Sequence, residues 1–266
     1  MAEKPNFVLV PDPEPDQPEP ARPSSSQALT IMDRLQALVR SVTAMVPFGV
    51  APAAEPDQAL TSGGPHRPRL IFGFDATASR EPAWATARTV TDSLFSALPG
   101  ELDVALAVHG GGGLHTFTQF TANPATLRDH AAGITCRAGP TRLLQILARA
   151  VATQGVRVVI YIGDVFEESP KRGRLLADSL GAKGTKLIVL HDTTDWTARR
   201  DAEIFLDLAR RTGGCVLPFD ADSPSRLRSL LAAVAAYAVG GEQLLEARRR
   251  DLPGATILLE HLNRGR

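Results

Sequence analysis

Three oxygen-bearing side chains follow one apolar, strand-like run at alternate positions. Residues 71–82 read IFGFDATASREP, and Asp75, Thr77 and Ser79 provide the oxygens. Ser79 or Thr77 could cap a helix that starts shortly afterwards, because Pro82 suits a first helical turn. A cap uses only one hydroxyl. Three oxygens within five residues therefore also suit a covalent nucleophile with its neighbours, or the ligands of a hard metal ion.

A divalent cation such as Mg²⁺, with Mn²⁺ or Ca²⁺ as alternatives, accounts for all three oxygens. Mg²⁺ prefers oxygen ligands in octahedral geometry and keeps several waters, so further ligands must come from other loops. A threonine before a helical pattern and an aspartate after the strongest apolar run are suitable. In α/β sheets, ligands bind beyond the carboxyl ends of the strands. The sequence predicts a metal site there, formed by Asp75, Thr77, Ser79, Thr141 and Asp164.

Strand-like and helical patterns alternate along the chain from Leu70 onward. The strand-like runs are Leu70–Phe74, Val104–Val108, Val156–Ile162, Lys186–Leu190 and Gly214–Phe219. The helical patterns are Glu81–Leu98, Arg142–Gln154, Ser169–Gly181, Ala198–Thr212 and Ser223–Val239. This alternation predicts an α/β fold with a doubly wound, mostly parallel central sheet and helices on both faces.

A glycine-rich segment interrupts the alternation. Residues 101–120, ELDVALAVHGGGGLHTFTQF, contain two strand-like runs without room for a helix between them. They predict a hairpin that places one antiparallel strand at a sheet edge. The HGGG sequence from His109 also occurs in lipases and esterases, but the chain has no Gly-x-Ser-x-Gly nucleophile motif. We therefore interpret the glycines as a flexible hairpin loop.

Composition divides the chain into a principal domain and flanking segments. The N-terminal residues are rich in Pro, Ser and acidic residues and cannot bury enough apolar surface to fold. The predicted divisions are a disordered Pro-rich tail 1–28, an amphipathic helix 29–46, a Pro/Gly linker 47–68, the α/β domain 69–240 and a C-terminal helix/strand extension 241–266. Within the extension, Gly254–Leu262 could form a short strand. The 29–46 helix either packs on the domain or docks on a partner.

Charge, cysteine content and apolar run length indicate which partners and which cellular compartment the sequence favours. Lys plus Arg and Asp plus Glu both number 29, so no electrostatic signature of nucleic-acid or anionic-membrane binding is present. The chain has only two cysteines, which favours a reducing cytoplasm over a disulfide scaffold. The sequence indicates no stretch of about 18 apolar residues, so no membrane span is expected.

The order of these motifs resembles the metal-ion-dependent adhesion site of von Willebrand factor A domains. The resemblance rests on D75-A-T-A-S79, on Thr141 in G139-P-T141 and on Asp164 after a central strand, and it covers about residues 69–239. The usual first motif is Asp-x-Ser-x-Ser, and Thr77 keeps the hydroxyl of the first serine. The glycine hairpin also lies where that fold has its antiparallel edge strand. The overall pattern is most similar to bacterial intracellular A-domain proteins.

The resemblance implies a role for each site residue. Thr77 and Ser79 would ligate the metal through their hydroxyls, and Thr141 would ligate it directly in one conformation and through water in another. Asp75 and Asp164 would hold metal-bound waters. An ion with so few direct carboxylate ligands stays electrophilic, so an Asp or Glu of a protein partner could complete its coordination. The expected function is Mg²⁺-dependent protein binding and not catalysis.

Two alternatives to metal-bridged binding remain. A phosphoryl hydrolase could use Asp75 as its nucleophile, although Thr77 stands where such a phosphatase has a second aspartate as general acid. A scaffold with a non-functional metal site is the other alternative. Among the neighbours of the site, Glu167 and Glu168 are interpreted as solvated acids near a helix start. His191 ends a strand and could approach the same edge, but it is interpreted as a surface-loop residue.

Overall fold

The computed structural model describes most of the α/β region and its C-terminal extension. The described residues are 67–91, 93–96, 100–193, 196–220 and 222–264. The predicted tail 1–28, the helix 29–46 and all but the last two residues of the linker 47–68 lie outside them. Those three predictions stay open.

A single six-stranded sheet forms the centre of the domain. Its spatial order is β3-β2-β1-β4-β5-β6, and every pairing is parallel except that of β3 with β2. The prediction of a mostly parallel sheet with one antiparallel edge strand is confirmed. The strands are β1 Arg69–Asp75, β2 Asp103–Gly110, β3 Gly113–Phe117, β4 Val156–Gly163, β5 Lys186–His191 and β6 Cys215–Pro218.

Helices cover both faces of this sheet. Successive side chains of a strand point to opposite faces, so β1 sends Phe72 and Phe74 into one core cluster and Ile71 into the other. The described helices are α1 Glu81–Thr89, α2 Ser93–Ser96, α3 Pro124–Ala132, α4 Leu143–Ala152, α5 Pro170–Ala182, α6 Trp196–Arg200, α7 Ala202–Arg211, α8 Pro224–Ala247 and α9 Pro253–Arg264. Helices α1, α2, α3, α8 and α9 contribute to the first cluster, and α4, α5 and α7 to the second.

Several helices differ from the sequence prediction. The pattern predicted over Glu81–Leu98 is divided into α1 and α2, and the pattern over Ala198–Thr212 into α6 and α7. Helix α3 was not predicted; Asn123 caps it by accepting the N–H of Ala125 at 2.9 Å. The predicted short strand within the C-terminal extension is wrong, because that segment lies in α9.

Helix α8 corrects the expectation about apolar stretches. It has 24 residues and is long and apolar enough to cross a membrane by length and composition alone. More than half of its most apolar 18-residue window is buried against the domain, 56% by residue. Gly241 also interrupts its backbone with φ 64° and ψ −155°, a conformation that is essentially restricted to glycine. Burial in the domain core explains its apolar composition.

The strand order reverses between β1 and β4. Strands β2 and β3 extend the sheet on one side of this pair, and β5 and β6 extend it on the other. The loops after β1 and β4 therefore diverge, leaving a crevice at their carboxyl ends. Asp75 ends β1 and Asp164 directly follows β4, so both predicted carboxylates lie at this crevice.

Candidate metal centre

The first three predicted ligands form a compact turn at the end of β1. Asp75 is fully buried, and its Oδ1 accepts the backbone N–H of Thr77 at 2.9 Å. Its Oδ2 is also buried and has no hydrogen-bond partner among the residues described. The hydroxyls of Thr77 and Ser79 lie 3.4 Å apart. The turn thus places two hydroxyls side by side next to a carboxylate whose second oxygen lacks a protein donor.

Helix capping does not account for these hydroxyls. A short 3-10 turn, Ala78–Arg80, follows Thr77 and runs directly into α1. Neither the start of this turn nor the start of α1 has a side-chain cap hydrogen bond. Pro82 does lie in the first turn of α1, as the sequence predicted. The helix start was therefore predicted correctly, but the hydroxyls of Thr77 and Ser79 do not cap it.

Thr141 and Asp164 are brought to the same edge by a shared loop contact. The N–H of Thr141 donates to Glu167 Oε2 at 2.8 Å, and its hydroxyl accepts the N–H of Glu167 at 3.1 Å. Glu167 belongs to the loop after β4 that also contains Asp164. The hydroxyl of Thr141 retains a lone pair and its own proton for a further ligand. All five predicted site residues therefore lie at the carboxyl edge of the sheet.

Glycines allow the Thr141 loop to pack closely on the β2–β3 turn. A Cβ on Gly139 would lie 2.5 Å from the nitrogen of Gly112, and the φ of Gly139 is 151°. Arg142 donates from Nε to the carbonyl of Gly112 at 3.0 Å, and Gly111 donates its N–H to Arg137 at 3.2 Å. The glycine-rich turn was expected to be a flexible loop. Instead, it supports the loop that contains Thr141.

The expectation that Glu167 and Glu168 are solvated acids holds for Glu167, which is exposed, but not for Glu168, which is partly buried. The Glu167 carboxylate bonds to the backbone of Thr141, and Glu168 Oε2 accepts the N–H of Leu144 at 2.8 Å. Glu168 therefore satisfies one of the first N–H groups of α4, which have no partner within the helix, and Glu167 fixes the loop just before that helix. Burial raises the pKa of Glu168 to about 7, against the opposing effect of the Leu144 N–H.

A buried histidine and tyrosine lie behind Asp75. His109 Nδ1 accepts the N–H of Arg142 at 3.3 Å, so the ring proton is on Nε2, which donates to the Tyr161 hydroxyl at 2.9 Å. Burial lowers the pKa of His109 to about 3, which keeps the ring neutral. Its Nδ1 is 3.7 Å from Asp75 Oδ1. His109 thus links Tyr161 to the start of α4 and lies beside Asp75 without carrying charge.

Three side chains near the site were missed or misread in the sequence. Arg80 is only 5% exposed, and its Nη1 lies 2.6 Å from Asp192 Oδ2 and 3.8 Å from Asp164 Oδ2. His191 is 3% exposed and bonds through Nε2 to the carbonyl of Asp164 at 2.9 Å, so its interpretation as a surface residue is wrong. The one available signal was that His191 and Asp192 follow a predicted strand, because carboxyl ends of parallel strands share an edge.

The charge state of Asp75 reflects its surroundings. Burial raises the pKa of Asp75 to about 7, and the nearby negative charge of Asp164 raises it further. The N–H and the side-chain hydroxyl of Thr77 and the charge of Arg80 act in the opposite direction. A bound cation favours the ionised form of a neighbouring carboxyl. The protein around Asp75 therefore leaves its negative charge only partly compensated.

The residues at this edge fit a hard divalent cation. The predicted set contains two carboxylates and three hydroxyls, and Mg²⁺ binds such oxygens while keeping several waters. Among the residues that the structure describes, no cluster of three or more His, Cys, Asp and Glu could hold a metal ion. A site here must therefore depend on the hydroxyls and on water, as the resemblance implies. The unpartnered Oδ2 of Asp75 agrees with that requirement.

Comparison with known proteins identifies the fold. No protein-family model matches the chain, and no curated protein is significantly similar to it in sequence. A von Willebrand factor type A structure from Catenulispora acidiphila aligns over 64% of this chain and 43% of its own, with 16% identity and a TM-score of 0.52. The chain has the von Willebrand factor A fold. Its six-stranded sheet with an antiparallel β3 edge belongs to that architecture.

Two further structures share the A fold. The pilus adhesin SpaC from Lactobacillus rhamnosus GG, in an open conformation, aligns over 66% of this chain and 30% of its own, with 12% identity and a TM-score of 0.51. Proximal thread matrix protein 1 of the mussel byssus aligns over 64% of this chain and 46% of its own, with 15% identity and a TM-score of 0.50. That mussel structure has a zinc-occupied adhesion motif of the metal-ion-dependent type. The chain spans less than half the length of these three proteins.

Proposed function

We propose that this A domain is a divalent-cation-dependent protein-binding module. Mg²⁺, or Mn²⁺ or Ca²⁺ in its place, would be held by Thr77, Ser79 and Thr141, with Asp75 and Asp164 retaining its waters. The ion would supply an electrophilic coordination position for an Asp or Glu of the partner. The observation that carries the proposal is the Asp75 turn, in which a buried Oδ2 without a partner among the described residues adjoins two hydroxyls that make no helix-cap hydrogen bond.

The surroundings of Asp75 favour binding over the alternative of phosphoryl transfer. Its side chain is fully buried, and Oδ1 is already engaged by the N–H of Thr77. A nucleophile must reach the phosphorus atom of its substrate in line, which such burial obstructs.

The proposed compartment is a bacterial cytoplasm, supported by the low cysteine content of the chain. Neither nucleic acid nor membrane is a proposed partner, since the formal net charge is zero.

Metal binding and partner capture test the proposal in two steps. Titration of the full chain with Mn²⁺ is expected to give binding that Asp75→Ala abolishes while the circular dichroism spectrum stays folded. Full-length protein on beads is then incubated with native cell extract, with and without EDTA. A partner is expected to bind only with metal and only without Asp75→Ala. Asp178→Ala is the matched control, because that aspartate lies on the exposed face of α5.

Three outcomes would decide against the proposal. Capture that persists in EDTA and in Asp75→Ala would show that the metal does not bridge the proteins. The 29–46 segment would then be the better candidate for the contact. Turnover of a generic phosphate ester with Mg²⁺ that is lost in Asp75→Asn would instead support the hydrolase. Absence of any metal binding by the wild-type chain would leave the scaffold alternative.

A further inference from the structure

A buried arginine lies next to the proposed metal site. The Arg80 side chain is 6% exposed, and its Nη1 contacts Asp192 Oδ2 at 2.6 Å. The same nitrogen is 3.8 Å from Oδ2 of Asp164, one of the proposed metal-site carboxylates. Arg80 is also the residue directly after Ser79. One guanidinium nitrogen is therefore shared between an aspartate of the metal site and an aspartate outside it.

The remaining donors of Arg80 are incompletely satisfied. Its Nε and Nη2 are buried without a hydrogen-bond partner among the residues that the structure describes. Unpaired buried donors on a charged group are unfavourable, so such an arginine is rarely retained for stability alone. The Phe219 ring lies 5.9 Å from the guanidinium carbon and provides only a weak additional contact. The main role of Arg80 must therefore be electrostatic.

The charges at this edge define that role. Asp75, Asp164 and Asp192 are all mostly buried, and Arg80 is the cation that contacts two of them. When the carboxylates are ionised, these four groups sum to two negative charges. A divalent cation would neutralise these two negative charges. Its positive charge would also be repelled by Arg80, because both cations lie next to Asp164. Arg80 and the metal ion therefore compete for the same carboxylate.

We infer, on the basis of the proposed metal site, that Arg80 is an internal counter-cation that lowers the metal affinity of the site, and that Asp192 restrains it from pairing fully with Asp164. Asp192 holds Arg80 at a short distance, which leaves the distance to Asp164 long. Removing Arg80 should strengthen metal binding. Removing the charge of Asp192 should release Arg80 toward Asp164 and weaken metal binding. The two substitutions thus have opposite expected effects on one measured constant.

Isothermal titration of the full chain with Mn²⁺ measures that constant. Arg80→Met keeps much of the side-chain volume and is expected to tighten Mn²⁺ binding about tenfold or more. This size is expected because a charge close to a carboxyl changes its ionisation constant by about that factor. Asp192→Asn is expected to weaken it about tenfold. The control is Arg174→Met, which breaks an Arg–Asp pair of the same 2.6 Å length on the exposed surface. That control should leave the affinity unchanged.

The double variant Arg80→Met/Asp192→Asn keeps the test decisive. It removes both members of the short Arg80–Asp192 pair, so neither is left buried and unpaired, and it can be used even when Arg80→Met alone fails to fold. Its affinity should exceed that of Asp192→Asn, because Arg80 is then the only difference between them. The Asp192 effect should also be smaller without Arg80 than with it. A Kd that is unchanged or weaker on removal of Arg80, in either background, overturns the role of Arg80.

The proposed function and the role of Arg80 fail separately. Mn²⁺ binding that Asp75→Ala abolishes, with no metal-dependent capture of any protein, contradicts the bridging function and leaves the Arg80 measurement valid. Metal-dependent capture together with equal Mn²⁺ affinity in wild type and Arg80→Met overturns the counter-cation alone. An Asp192→Asn effect of equal size with and without Arg80 overturns the restraint by Asp192.

Discussion

At the scale of single residues, the buried acids at the carboxyl edge of the sheet differ in which protein groups offset their negative charge. Asp192 contacts Arg80, whereas one oxygen of Asp75 has no hydrogen-bond partner in the part of the chain that the structure describes. Glu168 accepts one N–H of α4, and burial still raises its pKa. The aspartates of the metal site could be predicted from the sequence because they directly follow apolar strands. The pairing of Arg80 was not predictable, because it joins residues 112 positions apart through the tertiary fold.

Glu168 should make the stability of the domain depend on pH. Burial raises its pKa from 4.5 to about 7, so the folded chain holds this proton more tightly than the unfolded chain. The resulting stabilisation is complete below a pH of about 4.5 and is lost as the pH rises through about 7. Glu168→Gln keeps an acceptor for the Leu144 N–H without the charge. The variant should therefore gain about 3 kcal/mol relative to wild type over this interval, at about 1.4 kcal/mol per pH unit.

Urea unfolding at several pH values measures this gain. The difference in unfolding free energy between Glu168→Gln and wild type should grow steadily with pH and then level off. Glu246→Gln is the control for the loss of one carboxylate at an exposed position near the end of α8. A difference for Glu168→Gln that does not change with pH would show that burial does not control its proton affinity.

At the scale of elements, strands were predicted more accurately than helices. The run Leu70–Phe74 lies within β1 and lacks only one residue at each end. A strand buried on both faces is apolar throughout, so its pattern is unambiguous. Helix α3 has only two buried residues, Leu127 and Ala131, which is too few for a clear helical period. Its better signal was the start, since Asn123 is a favoured cap and proline is common at the first helical position.

The C-terminal segment shows a different limit of pattern reading. Residues 254–262, GATILLEHL, contain a short apolar run with two β-branched residues, which is compatible with a strand. In the fold, Leu258 and Leu262 are four residues apart and both enter the core beside α8. Tertiary packing therefore selects the helix, as it commonly does for short apolar runs.

Gly139 should be required for the position of the Thr141 loop. A Cβ there would lie 2.5 Å from the Gly112 nitrogen and 2.6 Å from the Gly111 carbonyl carbon, so Gly139→Ala must displace one of the two loops. We expect a loss of unfolding free energy about 2 kcal/mol larger than that of Gly184→Ala. Gly184 is the matched control, because it also has a positive φ, 73°, but a Cβ there meets no atom within 4 Å.

The two glycine variants should also differ in metal binding. Gly139→Ala moves Thr141, a proposed ligand, and should weaken Mn²⁺ binding in the same titration used for Asp75→Ala. Gly184 follows α5 at the opposite end of that helix from the site loop, so Gly184→Ala should bind Mn²⁺ like wild type. Equal stability losses in the two variants would mean that backbone strain alone, and not the contact between the loops, requires glycine at position 139.

At the scale of the whole molecule, the C-terminal helices complete one core of the domain. Leu245 of α8 and Leu258 and Leu262 of α9 belong to the same buried cluster as Phe72 and Phe74 of β1. Helix α9 also packs against α8 and β6. The backbone break at Gly241 lets the chain continue in a new direction while both parts of α8 stay packed. The extension that the sequence placed after residue 240 thus shares its hydrophobic core with the sheet.

This shared core makes a prediction about cooperativity. Leu258 is fully buried, so Leu258→Ala should lower the unfolding free energy by about 3 kcal/mol through lost contacts and a residual cavity. Thermal unfolding should remain a single transition at a lower midpoint, because α9 and the sheet belong to one cooperative unit. Leu175→Ala, at a leucine that is 45% exposed on α5, should change the stability by less than about 0.5 kcal/mol. If Leu258→Ala instead produced a separate early transition and left the main one in place, α9 would be an independently folding appendage.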